Sequence, residues 1–353
     1  MKIGMTAVFH NPHDRRADGD VYETDLALAA LAEPLGYDSL WTVEHHFDDY
    51  CLMPDPFQIL TYFAARTERV LLGSMVVVLP WWHDPIRVAE KAALLDHLSG
   101  GRFLLGVGRG AAWSEFEGFG VPMEESRDRF VESAEMILEG LERGWCEYDG
   151  KFVKQVRTPI RPKPRASFVG RRYAAAVSPE SSEMMARLGL ALLIIPQKPW
   201  PMIQDDVARH RAAFREAHGE EPPPCVTSLL VYCDEKQARN QEIVRDYIRP
   251  QAVNVTRHYD FGGSRAHVKG YESYGKVSAE QMIEAQVPLQ VVGTPEECYR
   301  KLVDVQRVSG TDHFSGVFSF AGLPSALAER SIRLFAKEVM PELQKLRATE
   351  EAA

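Results

Sequence analysis

Residues 70–110 read VLLGSMVVVLPWWHDPIRVAEKAALLDHLSGGRFLLGVGRG, and this stretch decides the fold. It opens with an apolar, β-branched run over 70–79, too long for a half-exposed strand and of the kind found in parallel sheets covered on both faces. Pro80 ends the run. Pro85 then opens a helical pattern in which Ile86, Ala89, Ala93, Leu94 and His97 recur at spacings of three and four, closed by Ser99-Gly100-Gly101. A second buried strand is expected over 103–108, which completes a βαβ unit with a right-handed crossover. That strand runs out into Gly108-Arg109-Gly110. The carboxyl ends of strands line ligand sites in parallel α/β folds, so Arg109 is placed as an anion ligand with a glycine on either side to allow close approach.

Working outward, the chain has 353 residues and is 45% hydrophobic, ample for a large core. Its 41 Lys and Arg against 50 Asp and Glu leave a formal charge of −9. That disfavours a nucleic-acid surface while leaving room for a local basic pocket. Cys51, Cys146, Cys225, Cys233 and Cys298 are scattered and never form a CxxC pair, the pattern of free thiols in a reducing compartment. The opening MKIGMTAVF reads as a strand and not as a leader. No apolar run approaches the roughly 20 residues needed to span a bilayer, so no membrane association and a cytoplasmic location are expected.

Taken in order, strands are expected over 2–9, 38–43, 70–79, 103–108, 173–177, 191–195, 226–233 and 313–320. Helices fall between them over 21–35, 56–66, 126–143 and 201–218, then over 294–308 and 324–346. Residues 147–166, with Pro159, Pro162 and Pro164, read as an excursion across the surface. Residues 249–277 read as a long loop, functional and lid-like. Eight strands alternating with helices indicate an α/β fold, a single (β/α)8 TIM barrel with insertions over 1–346 and a C-terminal tail over 347–353.

If the barrel closes, four groups converge on its carboxyl face. Arg109 follows strand four, Arg127 opens the next helix, and Ser178 and Ser181 follow strand five with Pro179 at the first helical position. Two guanidinium groups, two hydroxyls and a helix amino end make a site for a phosphate dianion. His45 and His46 after strand two, with His83 after strand three, fit general acid/base groups beside a cofactor, metal ligands, or histidines packed against backbone. Strands four, five and six end in Arg, Ser and Pro, which are poor company for a metal, and none is expected. Trp81, Trp82, Trp113, Phe116, Phe318 and Phe320 are expected to wall the mouth as an apolar pocket for a small organic substrate.

These residues also carry a resemblance. Glu44-His45-His46-Phe47, the run 75–80 (MVVVLP), the run 83–90 (HDPIRVAE), Leu94-Leu95-Asp96, the run 99–103 (SGGRF), Gly108-Arg109-Gly110 and Glu125-Ser126-Arg127 occur in one order. So do Ser178-Pro179-Glu180-Ser181 and Val292-Gly293-Thr294-Pro295. In these blocks the chain resembles the luciferase-like, flavin-dependent monooxygenases, whose type member is the bacterial luciferase α subunit. The resemblance implies that Arg109, Arg127, Ser178 and Ser181 hold the phosphate of FMN, with Val177 beside them. It further implies a non-prolyl cis peptide at Met75-Val76 under the flavin ring, Gly108 against that ring, and His45 as the active-site histidine. Gly293 and the segment 249–277 fall where the family has its mobile lid.

The implied chemistry is oxygenation by reduced FMN (FMNH2) and O2 through a C4a-hydroperoxide. A separate NAD(P)H:flavin reductase is implied too, because Gly106-Val107-Gly108-Arg109-Gly110 lacks the third glycine of a dinucleotide fingerprint. The chain departs from the luciferase subunit in having Gly108 in place of a reactive cysteine and Ala112 in place of a tyrosine, so light emission and a long-chain aldehyde substrate do not carry over. Two rival readings are an oxidoreductase using the deazaflavin F420 and a non-catalytic flavin-binding protein. Ala64, Ala65, Ala89, Ala92 and Ala93 put small residues on the second and third helices, and the resemblance implies that these helices pack across a two-fold axis as a homodimer.

Overall fold

The computed structural model describes residues 1–346 apart from 177, 264–267, 270 and 276, and the side chains of 273 and 274; the expected tail over 347–353 lies outside it. Eight parallel strands close on themselves. They are β1 (Lys2–Ala7), β2 (Ser39–Thr42), β3 (Leu71–Ser74, resumed at Val77–Val78), β4 (Phe103–Gly108), β5 (Arg172–Ala175), β6 (Ala191–Ile194), β7 (Val226–Cys233) and β8 (His313–Val317). Each pairs with the next, and β8 returns to β1 through Lys2 opposite His313. The helices that cover the barrel and matter below are α1 (Asp18–Ala29), α2 (Pro56–Ala64), α3 (Ile86–Leu98), α4 (Ser126–Arg143), α5 (Pro179–Arg187), α6 (Trp200–His218), α7 (Arg249–His258), α8 (Ala279–Gln286), α9 (Pro295–Ser309) and α10 (Ser325–Glu338). The architecture is the (β/α)8 barrel that the alternating strand and helix patterns predict.

The unbroken apolar texture of the strands follows from this closure, since one face meets the barrel interior and the other meets helices. Every residue of β2, β4, β6 and β8 is buried. Inside, Trp41, Met75, Leu104, Tyr173, Leu193 and Val226 form one apolar cluster. Gly73 is dictated by it, because a Cβ there would drive into the Trp41 indole. The indole N–H donates to Ser39 Oγ at 2.8 Å, and that oxygen lies 2.6 Å from His313 Nε2, so the polar atoms of this layer satisfy one another.

Several expectations need correcting. The run over 70–79 is two short strands, because a cis peptide joins Met75 to Val76 between them. Residues 147–166 contain all but the first two residues of an antiparallel hairpin, Trp145–Asp149 with Lys154–Pro159. Glu132 of α4 pins its turn by accepting the N–H groups of Lys151, Phe152 and Val153 at 2.8, 2.7 and 2.8 Å. The loop expected over 249–277 begins as α7, the end of a helical run from Gln237. Its buried Gln251, Ala252 and His258 recur at helical spacing, a period masked by the flanking glycines and aromatics. Strand eight stops at Val317, five residues after it starts, and Phe318 and Phe320 turn into the shell between barrel and helices, where Phe318 meets Tyr37 and Phe335.

Of the alanines offered for a dimer face, Ala64, Ala89, Ala92 and Ala93 are buried within the chain, where their small size lets α2 and α3 pack closely. Leu94 and Leu98, one turn apart on α3, are the exposed apolar residues there, at 47% and 52%. Among the described residues no helix is long and apolar enough to cross a membrane.

Candidate active site

A cavity of about 220 Å³ opens at the carboxyl ends of the strands. The residues on its wall come from separate elements. Met75, Val76 and Val78 belong to the broken third strand, Gly108 and Arg109 to the end of β4, Ser181 to α5, and Glu44 and His45 to the loop after β2. Each is there because a parallel barrel delivers every strand end to the same rim.

At one end Arg109 is buried, at 8% exposure, with its guanidinium carbon 4.1 Å from the centre of the Tyr271 ring. The Tyr271 hydroxyl donates to the Gly110 carbonyl at 2.7 Å and lies 3.1 Å from Ser126 Oγ, the residue before Arg127. Burial raises the Tyr271 hydroxyl pKa, and the Arg109 and Arg127 charges oppose that rise. Arg127 is half-buried at the start of α4. Its charge also reaches Glu180 in the first turn of α5, whose carboxyl sits below the usual range chiefly through a backbone N–H there. Ser178 caps α5 by accepting the Ser181 N–H at 3.3 Å, and the two hydroxyls are 3.0 Å apart. Arg109, Arg127, Ser178 and Ser181 therefore border one region, with Arg109 and Ser181 on the cavity wall. Val177 lies outside the described residues.

The floor is tightly made. A Cβ on Gly108 would collide with the Val76 side chain, so only glycine leaves room for the cis Met75-Val76 unit beside β4.

At the other end stand the histidines, and here the structure separates them. His45 lines the cavity. His46 turns behind it, with Nε2 3.2 Å from Glu44 Oε1 and its ring against Phe119. Glu44 also accepts the Val78 N–H and the Trp81 indole N–H, each at 2.9 Å, and burial raises its pKa. His83 is exposed and takes no part in the cavity wall. The aromatic wall is not assembled either. Trp81 is buried under Phe116, Phe119 and Tyr271, Trp113 packs partly buried on the same cluster, and Trp82 turns out to lie 5.0 Å from Lys91 Nζ. Phe318 and Phe320 are core. The wall is instead made mainly of aliphatic residues such as Val43, Leu193, Leu229, Val255 and Val317.

Three groups that sequence reasoning missed surround His45. Its Nδ1 lies 2.9 Å from Glu115 Oε1 and 3.2 Å from His258 Nε2, while His258 Nδ1 lies 2.6 Å from Asp48 Oδ2. A carboxylate can only accept, so His258 carries its proton on Nδ1 and offers a lone pair at Nε2. His45 then donates from Nδ1 to Glu115 and His258 together. Its Nε2 is left as a base, 3.5 Å from the Tyr259 hydroxyl. Burial lowers the His258 pKa and so keeps the ring neutral; burial pushes Asp48 up, but the His258 hydrogen bond holds it below its ordinary value. Ligand atoms of His45, Glu115 and His258 lie within 4.8 Å of one another, a spacing that suits a metal ion as well as these hydrogen bonds. The helical spacing that puts His258 in phase with Gln251 was the signal available for it; Glu115 had none beyond its place in the loop after strand four.

The chain is 24% identical over 361 residues to the alkanal monooxygenase alpha chain of Photorhabdus luminescens, covering 98% of this chain and 97% of that one. It is 30% identical over 327 residues to the 4-hydroxyprotoasukamycin monooxygenase of Streptomyces nodosus subsp. asukaensis, covering 90% and 85%. The crystal structure of monooxygenase RslO1 from Streptomyces bottropensis superposes with a TM-score of 0.78 at 29% identity, covering 97% of this chain and 99% of that one. The model of the luciferase-like monooxygenase family matches residues 1–312, and the chain belongs to that family.

Proposed function

We propose that this chain is an FMNH2-dependent monooxygenase that receives its reduced flavin from a separate NAD(P)H:flavin reductase, uses O2 as co-substrate, and oxygenates a small, mainly apolar organic molecule. The observation that carries the reading is that one cavity is lined by Arg109, Ser181, Met75, Val76, Gly108 and His45. A buried guanidinium and a capped helix start suit the phosphate of FMN, and the bed of Gly108 and Val76 suits a flat ring. Reduced FMN supplies two electrons, so that one oxygen atom of O2 leaves as water and the other enters the substrate.

The protein's own share is positioning, water exclusion and proton transfer. Arg109 and Ser181 bind the phosphate inside the cavity, and Arg127 and Ser178 support it from the rim. The aliphatic wall keeps water from the reacting atoms, which protects an oxygen-reactive centre from wasteful decay. His45 Nε2, the ring nitrogen that Glu115 and His258 leave uncontacted, moves a proton to and from the reacting atoms. Glu115, His258 and Asp48 hold the His45 tautomer.

Oxygen labelling tests the assignment. Candidate substrates mixed with the protein, photoreduced FMN and ¹⁸O2 are expected to give a product carrying one labelled atom. Turnover under argon, or only with reduced F420, would overturn it. The exposed Leu94 and Leu98 on α3 favour a homodimer through that helix. Light scattering at micromolar concentration reads this directly, and a monomer would end it.

A further inference from the structure

Of the buried carboxamides on the cavity wall, Gln290 is hydrogen-bonded at both ends, while Gln251 and Gln286 are not and play no part in holding a flavin phosphate or in the His45 network. Gln251 projects from α7 and Gln286 closes α8; they are 2% and 5% exposed, and both line the cavity. The two helices pack against each other. Gln251 Nε2 lies 3.1 Å from His10 Nε2. Burial, then the neighbouring His45, lowers His10 to about 3, so its ring is neutral and Nε2 accepts the amide N–H. Gln251 Oε1 is left buried with no hydrogen-bond partner among the described residues, and so is Gln286 Nε2. Leaving an acceptor and a donor unmet in an apolar wall is costly, and it is sustained where a ligand supplies the complement.

Their position points to the substrate and not to the phosphate. The Tyr50 ring lies between the His10 and His45 rings, with centroid separations of 5.2 and 5.0 Å, so the His10–Gln251 pair stands one aromatic ring from the reacting histidine. The charged residues of the wall are Glu44, Arg109 and Glu115 among the described residues. Glu44 and Glu115 are committed to His46, Trp81 and His45, and Arg109 to the phosphate end. A substrate carboxylate, sulfonate or ammonium would be buried there without a counter-ion.

We propose that Gln251 and Gln286 are the substrate-recognition site, and that they select an uncharged molecule offering a hydrogen-bond donor and acceptor on an apolar body, of the phenol, enol or amide type. This rests on the flavin reading above. Phenols, enols and amides offer both a donor of the kind Gln251 Oε1 lacks and an acceptor of the kind Gln286 Nε2 lacks, and Ile248, Ala252, Val255 and Val287 give the cavity an apolar lining on the same elements.

The test is equilibrium dialysis of the FMN-loaded protein against 1-naphthol, 1-methoxynaphthalene and 1-naphthoate, with FMN affinity measured separately by flavin fluorescence. The protein is expected to bind naphthol about tenfold tighter than the ether or the carboxylate, since each lacks a needed donor or adds an unpaired charge. Gln251→Leu and Gln286→Leu are each expected to weaken naphthol about five- to tenfold, leaving the ether and FMN within about twofold. Should the leucine variants fail to fold, Gln251→Asn and Gln286→Asn, which withdraw the amide by one methylene, are expected to show the same loss. Equal binding of naphthoate, no binding of any probe, or unchanged naphthol affinity in the variants would overturn the proposal. A loss of FMN affinity in its place would assign the carboxamides to the cofactor, leaving the flavin reading intact. Failure of the unaltered protein to bind FMN would instead remove the flavin reading itself.

Discussion

His258 Nε2 lies 3.2 Å from His45 Nδ1, and the two rings meet nearly at right angles with 4.8 Å between their centres. The contact fixes which nitrogen of His45 is turned to the His258 ring, because Asp48 accepts the His258 Nδ1–H on the far side and leaves Nε2 as the acceptor for His45. His45→Ala is therefore expected to abolish product while FMN affinity stays within a few-fold. His258→Gln and Asp48→Asn are expected to lower kcat by about tenfold or more, as positioning losses, with FMN affinity unchanged. Flavin fluorescence titration and turnover, measured on the same samples, separate the two effects. Equal turnover in Asp48→Asn would remove the tautomer argument.

Arg109 and Arg127 should be unequal partners. Arg109 is buried, where an ionic contact is little screened, whereas Arg127 is half-exposed and screened by water. Arg109→Met is expected to weaken FMN by about 100-fold, and Arg127→Met by a few-fold. Riboflavin, which lacks the phosphate, is the control: its affinity should scarcely change in either variant.

Gly108 is a steric requirement in this chain. Gly108→Ala puts a methyl into the Val76 side chain and is expected to cost about 1–3 kcal/mol in stability, along with FMN affinity. Adding Val76→Ala should return part of the loss, a coupling that a double-mutant cycle measures by denaturant melts.

Acid should loosen the fold through its buried histidines. Burial lowers His10 and His313 to about 3, and it lowers His210 and His258 as well. The unfolded chain binds protons on these rings near pH 6.5 and the folded chain does not, so stability falls as pH drops from there toward about 3. The slope is at most about 1.4 kcal/mol per pH unit for each ring. Asp25, raised to about 6 by burial, opposes this as pH falls through that value, and so do Glu44 and Asp206, which burial also raises, so three carboxyls stand against four rings. Tm is thus expected to decrease between pH 7 and pH 5, with a shallower decrease in His313→Asn. A flat profile would contradict the burial argument.

Much of this molecule can be read from local order in the chain. The apolar runs that end in glycine or proline place the strands, and β4 and β7 match their expected bounds residue for residue, because a strand covered on both faces reads as a largely apolar run. Arg109 and the Ser178 turn were legible for the same reason: each sits where a strand stops, and in a parallel barrel all such places share one rim. Residues just past a strand end escape that logic. Phe318 and Phe320 look like pocket walls on paper, and the chain's direction after Val317 sends them into the core.

The sequence by itself determined the barrel, the rim and the gathering of Arg109, Arg127, Ser178 and Ser181 toward one end, since these follow from periodicity and from the chemistry of single residues. Only the tertiary structure decided which histidine lines the cavity, which groups surround it, and which buried amides keep an unpaired polar atom beside it. Glu115, His258, Gln251 and Gln286 come from three separate elements, and hydrogen bonds depend on distances and angles that close only when the barrel does.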